Sequence, residues 1–199
     1  MTVPDDPRIR AWIDALLSTP GLTAVRDRDE AWRLHVEDSL SGLALVRSFG
    51  GPIVDVGSGG GSPGIALASA LPDREVTLLE ANGRKCAFLE TVAASFPNVL
   101  VVNARAEEHD VDHYGVAVAR ALAPPPVTTE WCLPLVAPGG AALLWVGPRA
   151  EQEPVRRVAE RLGGELAAAP PGFLVLRKVT PTPRGFPRRP GMAKKRPLG

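Results

Sequence analysis

Pro52-Ile53-Val54-Asp55-Val56-Gly57-Ser58-Gly59-Gly60-Gly61-Ser62-Pro63-Gly64-Ile65-Ala66-Leu67 is the stretch on which the fold turns. A short apolar run reads as a strand, and the glycines that follow let the backbone turn sharply and approach a ligand with no Cβ in the way. Pro63 suits the first turn of a helix, and the residues from Ile65 onward are helical in composition. Strand, glycine turn and helix in succession open a Rossmann-like unit, with Gly57 and Gly59 as the points of closest ligand approach. Gly59 to Gly64 also satisfies the dinucleotide pattern G-x-G-x-x-G, which on its own is a weak signal.

Downstream, the same rhythm repeats. Apolar strands are predicted over 52–56, 75–80, 99–103, 115–119, 141–147 and 173–179, with helices over 63–71, 83–96, 124–137 and 151–163 between them. Such alternation gives a mostly parallel sheet with helices on both faces, and ligands bind at the carboxyl ends of its strands. Upstream, 7–19 and 29–47 read as helices. The second carries Trp32, Val36, Leu40 and Leu43 at three-to-four spacing, with Asp29 placed to cap it. The chain therefore divides into an N-terminal helical extension (1–48), a ligand-binding core (49–179) and a basic, proline-rich tail (180–199).

With 45% hydrophobic and 23% charged residues in 199, the composition is that of a soluble globular chain with room for a proper core. The apolar stretch Leu133 to Val146 is interrupted by Pro134, Pro138, Gly139 and Gly140 and cannot span a membrane. Asp5 and Asp6 near the start argue against a signal peptide. Cys86 and Cys132 make neither a disulfide framework nor a metal knuckle. A cytoplasmic protein is expected. The net charge of +1 conceals an asymmetry: eight of the 23 basic residues lie after Leu176 with no acid among them, leaving 15 basic against 22 acidic groups before it. A solvated tail and a polyanion-binding tail are both open readings of that pattern.

Two acids bear on the ligand. A pyrophosphate avoids a neighbouring carboxylate, whereas the sulfonium and ammonium of S-adenosylmethionine attract one, so Asp55 favours the methyl donor over a dinucleotide. Glu80, at the end of the second strand, is placed to accept ribose hydroxyls, a requirement both ligands share. His35, Asp38 and Ser39 fall on neighbouring turns, where they line the site's mouth or serve helix packing. The polar run Glu107, Glu108, His109, Asp110, Asp112 and His113 has no metal-ligand spacing, and no metal is expected. No Cys–His pair or base-assisted Ser is suggested, so covalent catalysis is not expected. Trp12, Trp32, Trp131 and Trp145 read mainly as core fillers.

Several motifs in order resemble the RsmG (GidB) family of class I methyltransferases. They are the glycine stretch itself, Leu78-Leu79-Glu80-Ala81-Asn82-Gly83-Arg84-Lys85, Ala104-Arg105-Ala106-Glu107-Glu108, Arg120-Ala121-Leu122-Ala123-Pro124 and the basic ending. The resemblance covers most of the chain from about residue 28. It implies a seven-stranded Rossmann-like sheet, S-adenosylmethionine as cofactor, and methyl transfer to guanine N7 of 16S ribosomal RNA or a small-subunit precursor. No membrane and no obligatory protein partner is implied. Matched positions assign the cofactor to Gly57, Ser62, Ala106, Glu107 and Arg120, beside Asp55, Gly59 and Glu80 from the residue reading. Two departures stand out: Ser62 replaces an apolar residue, and Trp145-Val146-Gly147 replaces a Lys-Gly pair. Arg184, Arg188, Arg189, Lys194, Lys195 and Arg196 are then candidates for RNA phosphates, with donor binding independent of them. N7 has a free lone pair, so no general base is expected, and the acidic body suits a cationic product. A dinucleotide oxidoreductase, a methyltransferase with a small-molecule or protein acceptor, and a non-catalytic RNA-binding relative are the alternatives.

Overall fold

The computed structural model describes residues 6–198; Asp5, the rest of 1–5 and Gly199, at the outer ends of the extension and the tail, lie outside the described residues. Its centre is one seven-stranded sheet: β1 (Ile53–Val56), β2 (Val76–Leu79), β3 (Val99–Val102), β4 (Tyr114–Arg120), β5 (Val136–Trp145), β6 (Gly164–Ala167) and β7 (Phe173–Lys178). They lie in the order β3-β2-β1-β4-β5-β7-β6. Every pairing is parallel except those of β7, which runs against both β5 and β6. The chain winds outward from β1 to β3, then returns to start the other half at β4, so the switch point lies between β1 and β4.

Alternate residues of each strand feed opposite cores. Ile53, Val76, Leu78, Val116, Val118 and Leu143 face one core. That side is covered by helices α1 (Pro7–Ser18), α2 (Arg28–Trp32), α3 (Asp38–Ser41), α4 (Leu43–Arg47), α5 (Gly64–Ala70) and α6 (Gly83–Ala93). Val54, Val56, Ala117, Leu144, Leu174 and Leu176 face the other, under α7 (Pro125–Cys132), α8 (Gln152–Arg161) and α9 (Met192–Lys195). In α1, Ile9, Trp12, Ile13 and Leu16 give the buried stripe. Its cap is Asp6, which accepts the Arg8 N–H at 2.9 Å, and the Arg8 guanidinium holds the Asp6 carboxyl down at about 2.

Three expectations are corrected. The helix predicted over 29–47 is cut by a wide turn at Arg33–Glu37 and by Gly42, and its cap is Asp27, accepting from Glu30 N–H at 2.8 Å, not Asp29. The helix predicted over 124–137 stops at Cys132; Pro134 has no N–H to continue it, and Val136 already pairs with Tyr114, so β5 begins five residues earlier than expected. β6 was not among the strands read from the residues, because Gly164-Glu165-Leu166-Ala167 has little strand character by itself. Its pairing comes from β7.

The segment after β7 is folded against the body. Lys178, with its side chain fully buried, donates to the carbonyls of Leu133 and Leu162 and to Thr182 Oγ1, with Asp112 at 3.4 Å. Burial lowers its pKa and Asp112 opposes the shift. Arg188 forms a two-pronged pair with Glu130 at 2.5 and 2.6 Å, and Glu130 is buried beneath it.

One close backbone approach sets the base of the sheet. A Cβ on Gly115 would run into the carbonyl of Gly50, in backbone on both sides. Gly115→Ala is therefore expected to cost about 2–3 kcal/mol, lowering the melting temperature by roughly 5–10 °C. Gly147→Ala, which meets nothing within 4 Å, should leave it unchanged. Equal melting of the two variants would contradict the Gly50–Gly115 contact.

Candidate active site

A cleft of about 370 Å³ opens at the carboxyl ends of β1, β2 and β4, within the size range of small-molecule sites. Its floor is the loop after β1. Gly57 has φ +71°, and a Cβ there would strike the Leu122 side chain. Gly57 N–H donates to Leu79 O at 2.7 Å, and Trp12 Nε1–H holds the Gly60 carbonyl at 2.8 Å. Glu80 spans the two adjacent loops: one carboxylate oxygen accepts from Gly59 N–H at 2.9 Å, the other from Asn82 N–H at 2.8 Å. Each oxygen keeps a lone pair, so the carboxylate retains capacity for a ligand's hydroxyls.

Gly57, Gly59, Ser62, Glu80, Ala106, Glu107 and Arg120 all border this cleft. Asp55 does not. Its side chain is buried behind the loop, where Oδ2 accepts from Gly64 N–H at 2.9 Å and Oδ1 has no partner among the described residues. The direct attraction of a cationic ligand expected of Asp55 is thus replaced by an indirect role, holding the start of α5 against the glycine loop. Burial pushes its carboxyl up to about 7, against the lowering pull of Gly64 N–H and the Arg120 charge.

The N-terminal extension supplies the other rim. His35 Nδ1 lies 2.9 Å from Ser62 Oγ and 3.3 Å from an Arg120 guanidinium nitrogen, while Nε2 lies 3.1 Å from Thr23 Oγ1. Arg120 has only hydrogens to give, so Nδ1 is the acceptor and Nε2–H donates to Thr23. Burial and the Arg120 charge lower the His35 pKa to about 4. Arg120 also pairs with Asp38 at 2.8 Å and donates to the carbonyl of Leu34, which the wide turn brings within reach. Ser39 is corrected: fully buried, its hydroxyl donates to the His35 carbonyl at 2.7 Å, and it does not reach the mouth. Trp145, standing where the lysine was expected, packs against Gly42 and donates to the Asp38 carbonyl at 2.9 Å, tying the extension to β5.

The basic tail is partly reassigned. Arg188 is committed to Glu130, so it is not a free phosphate ligand. Gly191 N–H donates to Glu107 at 3.0 Å, and Lys194 lies in the cleft lining, 5.2 Å from the Trp131 ring centroid. Arg184, Arg189, Lys195 and Arg196 remain exposed. The tail was expected to be independent of the donor site, yet it borders the same cleft as the glycine loop. Lys85, Arg105, Arg120 and Lys194 outnumber Glu80 and Glu107 in the lining, so the acidity of the body does not extend into the cleft. Leu22, Lys85, Arg105, Trp131 and Lys194 were missed from the sequence as cleft residues. Only the presence of Lys85 and Arg105 within the quoted motifs was a signal for any of them.

Such a sheet order, with an adenosine-sized cleft over the first two strand ends, defines a class I S-adenosylmethionine-dependent methyltransferase fold. Solved structures agree at the level of fold. The precorrin-6y C5,15-methyltransferase of Geobacter metallireducens superposes with a TM-score of 0.58 at 15% identity, covering 84% of this chain and 95% of that one. The T. thermophilus 16S rRNA N2 methyltransferase RsmC, solved with AdoMet and guanosine, gives 0.56 at 19% identity, over 83% of this chain and 42% of that one. The model of the GidB family, rRNA small subunit methyltransferase G, matches residues 11–162, and the chain belongs to that family. Relatives called ribosomal RNA small subunit methyltransferase G are 37% identical in Synechococcus sp., over 91% of this chain and 79% of the relative, and in Moorella thermoacetica, over 89% and 82%.

Asp55 and His35 leave opposite marks on stability. The native state binds the Asp55 proton more tightly than the unfolded chain, so its contribution is full below about pH 4 and is lost as pH rises through 7. His35, with a lowered pKa, contributes above about pH 6.5 and loses that contribution as pH falls through 4. The difference between wild type and Asp55→Asn isolates the first. Denaturant titrations should show the variant gaining on wild type from about pH 4 to about pH 7 and no further above it. A pH-independent difference would rule out the protonation described for Asp55.

Proposed function

We infer that this chain, in the cytoplasm, transfers a methyl group from S-adenosylmethionine to N7 of a guanine in 16S ribosomal RNA, free or in a small-subunit precursor. The observation that carries the reading is the adjacency of two cavities. Beside the first cleft, across a wall made by Ala121 and Leu122, lies a second of about 640 Å³, bordered by Ala123, Leu144, Trp145, Pro148 and Arg149. It is mainly apolar, open, and of a size for a base extruded from its stack. Ala121, between the two, has φ +51°, a conformation a residue with a Cβ adopts at a cost and which is often found at functional sites.

The residues present fit the donor. Glu80 offers acceptors for ribose hydroxyls, the backbone of Gly57 to Gly59 allows close approach, and Arg120 suits a carboxylate. When bound, S-adenosylmethionine supplies an electrophilic methyl on a sulfonium. The chain's own task is alignment: holding the acceptor nitrogen, methyl and sulfur in line at about 3–3.5 Å. Among the described residues, no imidazole of the lining is free to take a proton in the step. The one imidazole in the lining, His35, has both nitrogens engaged and its pKa lowered to about 4. Arg120-Ala121-Leu122-Ala123 follows β4 in place of the Asn-Pro-Pro-Tyr motif of amine methyltransferases. An acceptor with a free lone pair needs no proton removal, and guanine N7 is one. The exposed Arg184, Arg189, Lys195 and Arg196 support contact with RNA phosphates.

Three measurements test this reading. Labelled methyl should appear in 16S RNA at a site cleaved by reduction and aniline, the signature of N7-methylguanosine; label on a ribose hydroxyl, a pyrimidine carbon or an adenine amine defeats it. With RNA saturating, single-turnover rates should be nearly flat from about pH 7.5 to about pH 9, above the Asp55 titration. In calorimetry, Glu80→Ala should weaken S-adenosylmethionine by about tenfold or more, from the loss of charged hydrogen bonds. Tight binding of NADH in its place would reinstate the oxidoreductase alternative.

A further inference from the structure

The C-terminal segment reaches the cleft at one end only. From the switch point outward, the cleft runs from Arg120 at the end of β4, past Gly57 and Gly59 after β1 and Glu80 after β2, to Ala106 and Glu107 after β3. A donor whose ribose meets Glu80 in the middle has its amino-acid portion towards Arg120 and its adenine towards Ala106. That second end is where Lys194 and Trp131 complete the lining.

Lys194 is held there by more than chance contact. Ala193, its neighbour on α9, is buried in the core under β4 and β5. Arg188 anchors the segment, pairing with buried Glu130 and donating to the Arg196 carbonyl at 2.9 Å. Gly191 N–H fixes the turn before α9 to Glu107, itself a cleft residue. The Lys194 ammonium sits over the Trp131 ring at 5.2 Å. The indole N–H of that same tryptophan is buried with no partner among the described residues. An ammonium has three hydrogens to donate and accepts none, and adenine presents ring nitrogens that accept.

We propose that Lys194 is a donor-binding residue, giving a hydrogen bond to a ring nitrogen of the adenine of S-adenosylmethionine. The C-terminal segment is then a wall of the donor site as well as a carrier of RNA-facing charge. This rests on the donor reading above. Because α9 is already anchored, the backbone is in place before the donor binds, and the exposed lysine side chain alone has to be ordered for the bond. The Lys194 side chain is exposed to solvent, so the effect is small.

The test is calorimetry on the full chain with S-adenosylmethionine, S-adenosylhomocysteine and adenosine. Lys194→Met is expected to weaken all three by about three- to fivefold at full stoichiometry. Lys194→Arg should recover most of the affinity, and Arg161→Met, exposed on α8 and outside the cleft lining, should change none of it. An unaltered Kd for Lys194→Met overturns the proposal, as does a reduced number of sites at unchanged Kd, which marks partial unfolding. Weakening of the two adenosyl ligands without adenosine places the contact elsewhere and also overturns it. Loss of RNA affinity alone would return Lys194 to the phosphate-binding set. A wild-type chain that binds none of the three sinks the donor reading itself, whereas normal wild-type binding with an indifferent Lys194→Met sinks only this assignment.

Discussion

Two loops that leave neighbouring strands must be kept at a fixed separation for a cleft to exist between them, and here one carboxylate does it. Glu80 takes the Gly59 N–H with one oxygen and the Asn82 N–H with the other. Its own carbonyl accepts from Asn103 Nδ2 at 2.9 Å, which brings the loop after β3 into the same arrangement. Asn82 in turn caps α6 through its side chain. The glycines make the loop able to turn, but it is this carboxylate that fixes where it turns. An apolar residue at 80 would leave two N–H groups without partners and the strand tips free to spread.

The opposite rim depends on a different device. The wide turn at Arg33–Glu37 offers the Leu34 carbonyl to Arg120, while Asp38 supplies the opposite charge. His35 is thereby caught between Ser62 of the glycine loop and Thr23 of the extension. A serine at 62 in place of an apolar residue thus has a physical counterpart, a hydroxyl within hydrogen-bond reach of an imidazole. The N-terminal helices hold an arginine of the core rather than merely covering the sheet.

How much of this was readable beforehand varies with the range of the interaction. The βα rhythm and the glycine turn are local, and the strands from 52 to 119 lie within two residues of where periodicity puts them. β6 exists because β7 pairs with it, and the early start of β5 follows from pairing with Tyr114; both are set by residues far away in sequence. Asp55 shows the same limit at the site. Its position beside the loop was legible, but strand alternation turned its side chain towards α5 and Gly64 instead of the ligand. Arg188 and Lys194 looked alike as tail charges, and only a buried Glu130 and an indole in the cleft wall distinguish them.

The anchoring of the last segment also bears on the order in which the protein is completed during synthesis. All seven strands, both cores' helices up to α8 and the glycine loop precede Thr182 in the chain. A growing polypeptide folds from its N-terminal side as it emerges. It can close the sheet while Glu130 still lies without its arginine and Glu107 without the Gly191 N–H. The cleft's final side is thus the last part of the fold to be supplied, and a chain that lacks Arg188 carries a buried carboxylate at Glu130 with no counter-charge.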